Sequence, residues 1–301
     1  MANHIVVVGS LNMDLVVRTQ RHPQIGETVI GYDFRTYPGG KGANQAVAAA
    51  RLGGSVKMIG RVGGDQFGNE LLQTVTNAGV DTAYVKEDKQ APSGVAFITV
   101  DDLGNNTIVV ASGANARLSP DDIASAEEAF LGASVLLLQL ECPLVAVEYA
   151  ILLARKHHLQ IVLNPAPAQL LDAELLGQVD YLIPNQTELA LLSGQETPEV
   201  AIEVLGGLGV KKIVVTLGDQ GALVVEGDRF EKIPAYKVPV VDTTAAGDAF
   251  AGAFAVALTE GISIWKAARW GNAAGAMTVM RAGAQPSLPG RDEIDRFLSQ
   301  T

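Results

Sequence analysis

The chain has 301 residues, 48% of them hydrophobic, with 33 acidic against 22 basic side chains and a formal net charge of −11 at pH 7. That length suits one large α/β domain, or one domain with a small appendage, and the apolar content is enough for a substantial core. The acidic balance argues against a nucleic-acid surface or an anionic membrane as partner, and a single cysteine, Cys142, excludes an internal disulfide framework or a multi-cysteine zinc site.

A reduced, cytoplasmic setting is the expectation. Met1-Ala2-Asn3-His4 runs directly into Ile5-Val6-Val7-Val8, without the charged segment and long apolar stretch of a signal peptide. No apolar run reaches the roughly 18 residues of a membrane span.

Residues 5–8 are a β-branched run closed by Gly9, the pattern of a buried parallel strand. Ser10-Leu11-Asn12-Met13-Asp14 follows at its C-terminal end, where open α/β sheets bind ligands. Asn12 and Asp14 face the same way if the segment is extended, and an amide beside a carboxylate suits hydroxyl groups; a plain polar turn is the other reading. Strands are expected at 15–18 and 27–37, with no helix between, so they leave the main sheet. Pro38-Gly39-Gly40-Lys41-Gly42-Ala43-Asn44 then opens an Ala-rich helix that ends near Leu52-Gly53. Its glycines fit a hinge or a close backbone approach. The segment is not a Walker A loop, because Lys41 is followed by Gly rather than Ser or Thr. A bare glycine turn would also fit, but Lys41 and Asn44 straddling the helix start favour ligand binding.

Further along, 55–61 is predicted as a strand and 66–78 as a helix. Extended pieces at 94–100 and 106–110 flank the hairpin signal Asp101-Asp102-Leu103-Gly104-Asn105. With the earlier pair they make about four strands without helices, expected to cover the active site as a lid. From Ser119 the alternation becomes regular, with helices at 119–131, 143–157, near 172–176, from 185 and at 198–208, and strands at 134–140, 160–163, 181–183 and 212–217. This is the pattern of a doubly wound, mostly parallel sheet flanked by helices. Helices are also expected at 263–280 and 291–298.

Three strand ends carry polar groups. Glu141 follows the strand at 134–140. Asn185 and Glu188 share a face at a helix start, either as functional groups or as a capping box. Thr216-Leu217-Gly218-Asp219-Gln220-Gly221 is either a phosphate cradle or a hairpin turn into 222–226.

The most informative stretch is Asp242-Thr243-Thr244-Ala245-Ala246-Gly247-Asp248-Ala249-Phe250, between the extended apolar segment 237–241 and a buried Ala-rich helix. A helix starting at Ala246-Gly247 aims free N–H groups and its positive dipole end at whatever lies in front, which suits developing phosphate charge. Asp248 is placed there to act as a base on a hydroxyl. No H-E-x-x-H, G-x-S-x-G, protein-kinase H-R-D or D-F-G set occurs, and His157-His158 reads as a solvated pair at a helix end.

Gly39-Gly40-Lys41-Gly42-Ala43-Asn44-Gln45-Ala46 and Asp242-Thr243-Thr244-Ala245-Ala246-Gly247-Asp248 resemble, in order and separation, the N-terminal and C-terminal signatures of the PfkB carbohydrate kinases. Asn164-Pro165-Ala166-Pro167 and Gly283-Ala284-Gln285-Pro286-Ser287 look like segments of the ribose-phosphorylating branch of that family, so the resemblance spans essentially the whole chain. One departure is Ala246, where many members carry Gly; its methyl group leaves the N–H donor in place.

The resemblance implies one α/β kinase domain over residues 1–301, with lid strands inserted at about 14–37 and 94–111. It implies transfer of a phosphoryl group from ATP to D-ribose at O5. By the same resemblance Asp248 is the base, and Ala245, Ala246 and Gly247 form the anion hole. Asn12, Asp14, Gly40, Lys41, Gly42, Asn44 and Glu141 hold the sugar. Asn185 and Glu188 organise the phosphates and Mg2+, mainly through water, while Thr216, Gly218, Gly221, Gly247 and Asn272 line the nucleotide site. Asp242, Thr244, Thr278, Arg281, Gly283 and Ser287 match positions around a monovalent cation, K+, and the lid is a homodimer clasp. Other acceptors in the family, such as fructose, 2-keto-3-deoxygluconate or a nucleoside, are the alternatives, with a non-catalytic sugar-binding regulator as the rival from another class.

Overall fold

The computed structural model describes residues 3–300. The β-branched run becomes β1 (His4–Val8), buried along its whole length. The chain then leaves the main layer through β2 (Asn12–Arg18) and β3 (Asp33–Gly39). It returns through α1 (Lys41–Arg51), β4 (Val56–Gly63), α2 (Gln66–Asn77) and β5 (Asp81–Asp88), and leaves again through β6 (Gly94–Val100) and β7 (Asn106–Ala111). Regular alternation follows: α3 (Pro120–Ser125), β8 (Ala133–Leu138), α4 (Leu144–Lys156), β9 (Gln160–Leu163), α5 (Ala173–Leu176) and β10 (Tyr181–Leu182). Next come α6 (Gln186–Ser193), α7 (Pro198–Gly207), β11 (Lys212–Thr216), β12 (Ala222–Glu226) and β13 (Arg229–Ile233). Three helices, α8 (Ala246–Thr259), α9 (Ile264–Thr278) and α10 (Arg291–Ser299), close the chain.

Among the described residues, nine strands form one sheet in the order β13-β12-β11-β10-β9-β8-β1-β4-β5. Neighbours run parallel from β11 to β5, and only β12 and β13 introduce antiparallel pairs. The strand order reverses direction around β1, so the C-terminal ends of β1, β8, β9, β10 and β11 border one crevice, the usual ligand position of such sheets. A second sheet has the order β3-β2-β6-β7, with β2 and β6 parallel and the outer pairs antiparallel.

The core has two faces, as a sheet covered on both sides requires. One holds α1, α8 and α9 around Phe254, Met58 and Leu71; the other holds α4 around Phe130, Leu136 and Ile161. Helix α8 is buried from Asp248 to Leu258, which is why it reads apolar all round. Its alanines bring backbones close: a Cβ at Gly252 would lie 2.7 Å from Ala48 Cβ and 2.8 Å from Gln45 O. This close approach of α1 and α8 sets Asn44 and Gln45 against Asp248. Phe254 adds an edge contact with Tyr181 at 5.5 Å between ring centres, worth about 0.5–1.5 kcal/mol beyond its burial.

Three local expectations are corrected. The strand expected at 27–37 begins only at Asp33, because Gly26 turns with φ +82° and Glu27 is committed to Arg21 and the Gln24 N–H. The helix expected over 119–131 breaks after Ser125, whose hydroxyl bonds back to Asp122 O, and resumes as a 3-10 turn at Glu127–Phe130. His157 is half-buried, with its ring Nε2 2.8 Å from Glu127, rather than solvated. Two strands, β5 and β13, went unread, and both are edge strands. Their charged, broken patterns are what an edge uses to discourage further pairing, and they lack the apolar period of a half-buried strand.

Candidate active site

Helix α8 starts from Ala245, a non-glycine residue in the left-handed region with φ +61°. Such backbone is sterically disfavoured for alanine and persists only where the surroundings enforce it. Here Asp242 enforces it: Oδ1 accepts from Thr244 N (2.9 Å) and Thr244 Oγ1 (2.7 Å), and Oδ2 accepts from Gly283 N (2.8 Å). The turn leaves the N–H groups of Ala245, Gly247 and Asp248 without an acceptor among the described residues. Ala246 N–H reaches Thr243 O at 3.3 Å, so it is the least free of the expected anion-hole donors.

Asp248 is 7% exposed. Its Oδ2 accepts from Asn44 Nδ2 (2.9 Å) and its Oδ1 from Gln45 Nε2 (3.0 Å). Burial pushes its pKa up, while Lys41 and the two amide donors act in the opposite direction. The result is a carboxylate more basic than an exposed Asp.

Around it lies a polar cradle built from strand ends. Glu141, after β8, accepts at Oε2 from Ser10 Oγ (2.5 Å), Lys41 N (3.1 Å) and Asn12 Nδ2 (3.3 Å). A carboxylate thus sits on the N-terminus of α1, where the helix dipole favours it. Asn12 and Asp14 lie at the start of β2, the extended reading rather than the polar turn, and Asn12 Oδ1 accepts from Asn115 Nδ2 (2.8 Å). The glycines of the motif are needed for close approach. A Cβ at Gly39 would lie 2.4 Å from Asp14 Oδ2; one at Gly40, which has φ +89°, would lie 2.6 Å from Asn12 N. Gly42 is likewise packed against Ser10 N.

Asp14 has its pKa raised to about 7, by burial first and then by the charges of Glu141 and Asp248, against a smaller opposing effect of Lys41. Lys41 is itself subject to burial, which disfavours its charge, but the carboxylates of Asp248, Glu141, Glu188 and Asp14 outweigh that and raise its pKa. One ammonium therefore serves four acids, and the cradle keeps an excess of acceptors suited to a polyhydroxyl ligand.

On the other side of the α8 N-terminus is a cavity of about 500 Å3, lined by Thr216, Gly218, Gly221, Gly247, Asn272 and the apolar Val240, Phe250 and Val279. All the expected nucleotide residues meet there except Asn185. Thr216–Gly221 turns β11 into β12, as its hairpin reading has it, and several of its residues line this cavity. Asn272 faces the cavity, but its Nδ2 donates to Ile233 O and Pro234 O, both at 3.1 Å. Asn185 and Glu188 form the complete capping box of α6, with Asn185 N to Glu188 Oε2 at 2.8 Å and Glu188 N to Asn185 Oδ1 at 2.8 Å. Glu188 is 7% exposed, and burial raises its pKa.

Of the expected cation positions, the structure joins Asp242, Thr244 and Gly283. The Thr278 hydroxyl donates to Ala274 O, the Ser287 hydroxyl donates to Ala284 O, and Arg281 pairs with Glu293. Asp242, Thr244, Gly283, Asp14, Arg18 and Tyr37 also line a cavity of about 530 Å3 between β2, β3 and the segment before α8. Among the described residues no three His, Cys, Asp or Glu side chains form a metal-binding group, and no helix is long and apolar enough to cross a membrane.

Sequence reasoning assigned no role to Gln45, Ser10, Gln139, Asn164 or Asn115. Gln45, directly after Asn44 in the glycine motif, was the one with a usable signal: an amide in an otherwise alanine-rich, buried helix.

A family model for pfkB family carbohydrate kinases matches residues 2–291. The chain is 41% identical to the ribokinase of Haemophilus influenzae, with 99% of each chain covered. It is 42% identical to the ribokinase of Bacillus subtilis, over 98% of this chain and 99% of the relative. Among solved structures, that of Arabidopsis thaliana ribokinase complexed with ribose and ATP superposes with a TM-score of 0.91 at 35% identity, covering 99% of both chains.

Proposed function

The chain belongs to the pfkB family of carbohydrate kinases, and we propose that it transfers the γ-phosphoryl group of ATP to O5 of D-ribose, giving D-ribose 5-phosphate. The observation that carries this reading is the position of Asp248. It faces the carboxylate- and amide-lined cradle, one residue after Gly247, which lines a nucleotide-sized cavity, at a helix N-terminus with unused N–H groups.

Asn12, Asp14, Lys41, Asn44 and Glu141 hold the sugar hydroxyls and fix the primary alcohol beside Asp248. Asp248 takes the proton of O5 as O5 approaches the phosphorus. The N–H groups of Ala245 and Gly247, with weaker help from Ala246, face the charge gathering on the phosphoryl oxygens. Positioning and charge stabilisation are the main needs of phosphoryl transfer. The shell of α1, β2 and β3 keeps water away. Steady-state ADP release with D-ribose, fructose, 2-keto-3-deoxygluconate and adenosine tests the reading. D-ribose is the expected best acceptor, and turnover with adenosine above that with D-ribose would overturn it.

Mg2+ fits as a companion of the nucleotide rather than as a protein-caged ion. Each Glu188 oxygen already accepts one bond, from the Asn185 N–H and amide, so the side chain is held in place and a contact with Mg2+, direct or through water, would come from its remaining lone pairs. When bound, it neutralises charge on the bridging phosphates. K+ is proposed as an activator behind the anion hole, at the Asp242 loop. Asp242→Ala is expected to weaken activation by K+ and to lower kcat in its presence. An unchanged response to K+ titration would remove that loop from consideration.

The four-stranded sheet is proposed to act as a lid within a single kinase domain, and as the contact surface of a homodimer. Phe34, Phe97 and Val109 are exposed on one face of it. Light scattering should give twice the chain mass, falling to the chain mass in Val109→Asp; a monomeric parent protein would refute the pairing. The reducing cytoplasm is the proposed setting, on the single, buried Cys142.

A further inference from the structure

The two oxygens of Asp248 have unlike surroundings. Oδ1 is held by Gln45, a side chain with no exposed surface. The Gln45 amide is saturated: its other N–H donates to Asn164 Oδ1 (3.1 Å), and its Oε1 accepts from Gln139 Nε2 (2.5 Å). Asn164 is in turn tied by Nδ2 to Ile183 O (2.9 Å). Gln139 is wedged against β1, since a Cβ at Gly9 would lie 2.2 Å from its Oε1.

Chemistry fixes the direction of this relay. A carboxylate only accepts, so Gln45 must present its N–H to Asp248, and its Oε1 must then face the N–H of Gln139. On the other side, Oδ2 has Asn44 as partner, and Asn44 Oδ1 is buried with no partner of its own. Each Asp248 oxygen accepts one bond; the unmet hydrogen-bonding capacity next to the carboxylate is that of Asn44 Oδ1, on the Oδ2 side, whereas behind Oδ1 it lies only at Gln139 Oε1, at the far end of the relay.

We propose that Gln45, backed by Gln139 and Asn164, is a positioning residue that pins Asp248 Oδ1 and so makes Oδ2 the oxygen that receives the substrate proton. The inference rests on the kinase reading above. In the step it serves, the O5 proton passes to Oδ2, the O5–P bond forms, and the bond from phosphorus to the departing ADP oxygen breaks. The relay also donates to the ionised form of Asp248, and so opposes the effect of burial. The other charged groups facing Asp248 are Lys41 from α1, Asp14 from β2, Glu141 after β8 and Glu188 from α6.

Gln45→Met keeps the volume and removes both donors. Carbon-13 NMR titration of the Asp248 carboxyl in ligand-free protein should show its pKa moved up from that of the parent. At pH 7, kcat should fall about 10²-fold, the scale of a small misplacement of a reacting group. The acid limb of the kcat profile should move up, with nucleotide Kd and acceptor KM unchanged. An unmoved titration in folded Gln45→Met overturns the inference whichever acceptor the enzyme prefers, because that readout needs no substrate. A moved titration with unchanged kcat overturns it as well. If Gln45→Met does not fold, Gln139→Met, which loosens Gln45 without removing it, is measured the same way and judged by the same outcomes.

Discussion

Asp248→Asn is expected to lower kcat by about 10²–10⁴-fold, the usual worth of a general base. The substitution keeps shape and burial but removes the proton acceptor. It also turns one oxygen into an N–H₂ that faces the donors of Asn44 or Gln45, so the local network loses a bond as well as a base. The nucleotide cavity is built from other residues, chiefly Thr216, Gly218, Gly221 and Asn272, so ATP affinity measured by calorimetry should survive. The effect should be the same with or without K+, in contrast to Asp242→Ala, because the two acids do different work. Asp242 bonds Thr244 and Gly283 with both oxygens and holds the turn; Asp248 bonds Asn44 and Gln45 and faces the cradle. Single-turnover transfer at the parent rate in Asp248→Asn would contradict this assignment.

The second large effect is expected from Asp14→Asn. A buried carboxylate that accepts from sugar hydroxyls is worth more than a neutral amide there, and acceptor KM should rise by about 10–10²-fold. The pH dependence follows from a pKa raised to about 7 from the ordinary 3.8. Between those values the folded protein holds a proton that the unfolded chain has released. Stability therefore falls as pH rises through that window, and the full penalty is present above pH 7. Asn removes the penalty. The ligand-free variant should melt higher than the parent at pH 8 and alike at pH 4. For the same reason, kcat/KM for the acceptor in the parent enzyme should decline below about pH 7 as Asp14 protonates. An unchanged acceptor KM, or a variant less stable at pH 8, would count against a charged Asp14 in the sugar site.

The legible parts of this protein were those where local chemistry and global position agree. The run of Ile5 to Val8 reads as a buried parallel strand because nothing in it tolerates water, and the helix expected from Ser119 starts there as α3. The glycine motif before α1 and the small residues before α8 were legible as sites of close approach. The reason is now explicit: Asp14, Asn12 and Ser10 occupy the volume that side chains at Gly39, Gly40 and Gly42 would need.

The edge strands were hidden because an edge must look unlike a core strand. The relay behind Asp248 was hidden for a different reason. Gln45 lies 94 residues from Gln139 and 119 from Asn164, and nothing along the chain links them until β8 and β9 bring their ends beside α1. Asn185 with Glu188 shows a third case. The capping box is formed in full, and its burial beside the charged cradle, rather than its sequence, is what keeps a functional role open to it.

The identity of the product tests the central claim most directly. After reaction of ATP with D-ribose, the proton-coupled phosphorus-31 NMR signal of the new ester reports which hydroxyl has attacked. Transfer to the primary alcohol beside Asp248 predicts a triplet, from coupling to the two C5 protons, formed by the parent enzyme and absent with Asp248→Asn over the same interval. A doublet, from a phosphate on a secondary or anomeric carbon, or a triplet growing equally fast with Asp248→Asn, would contradict it.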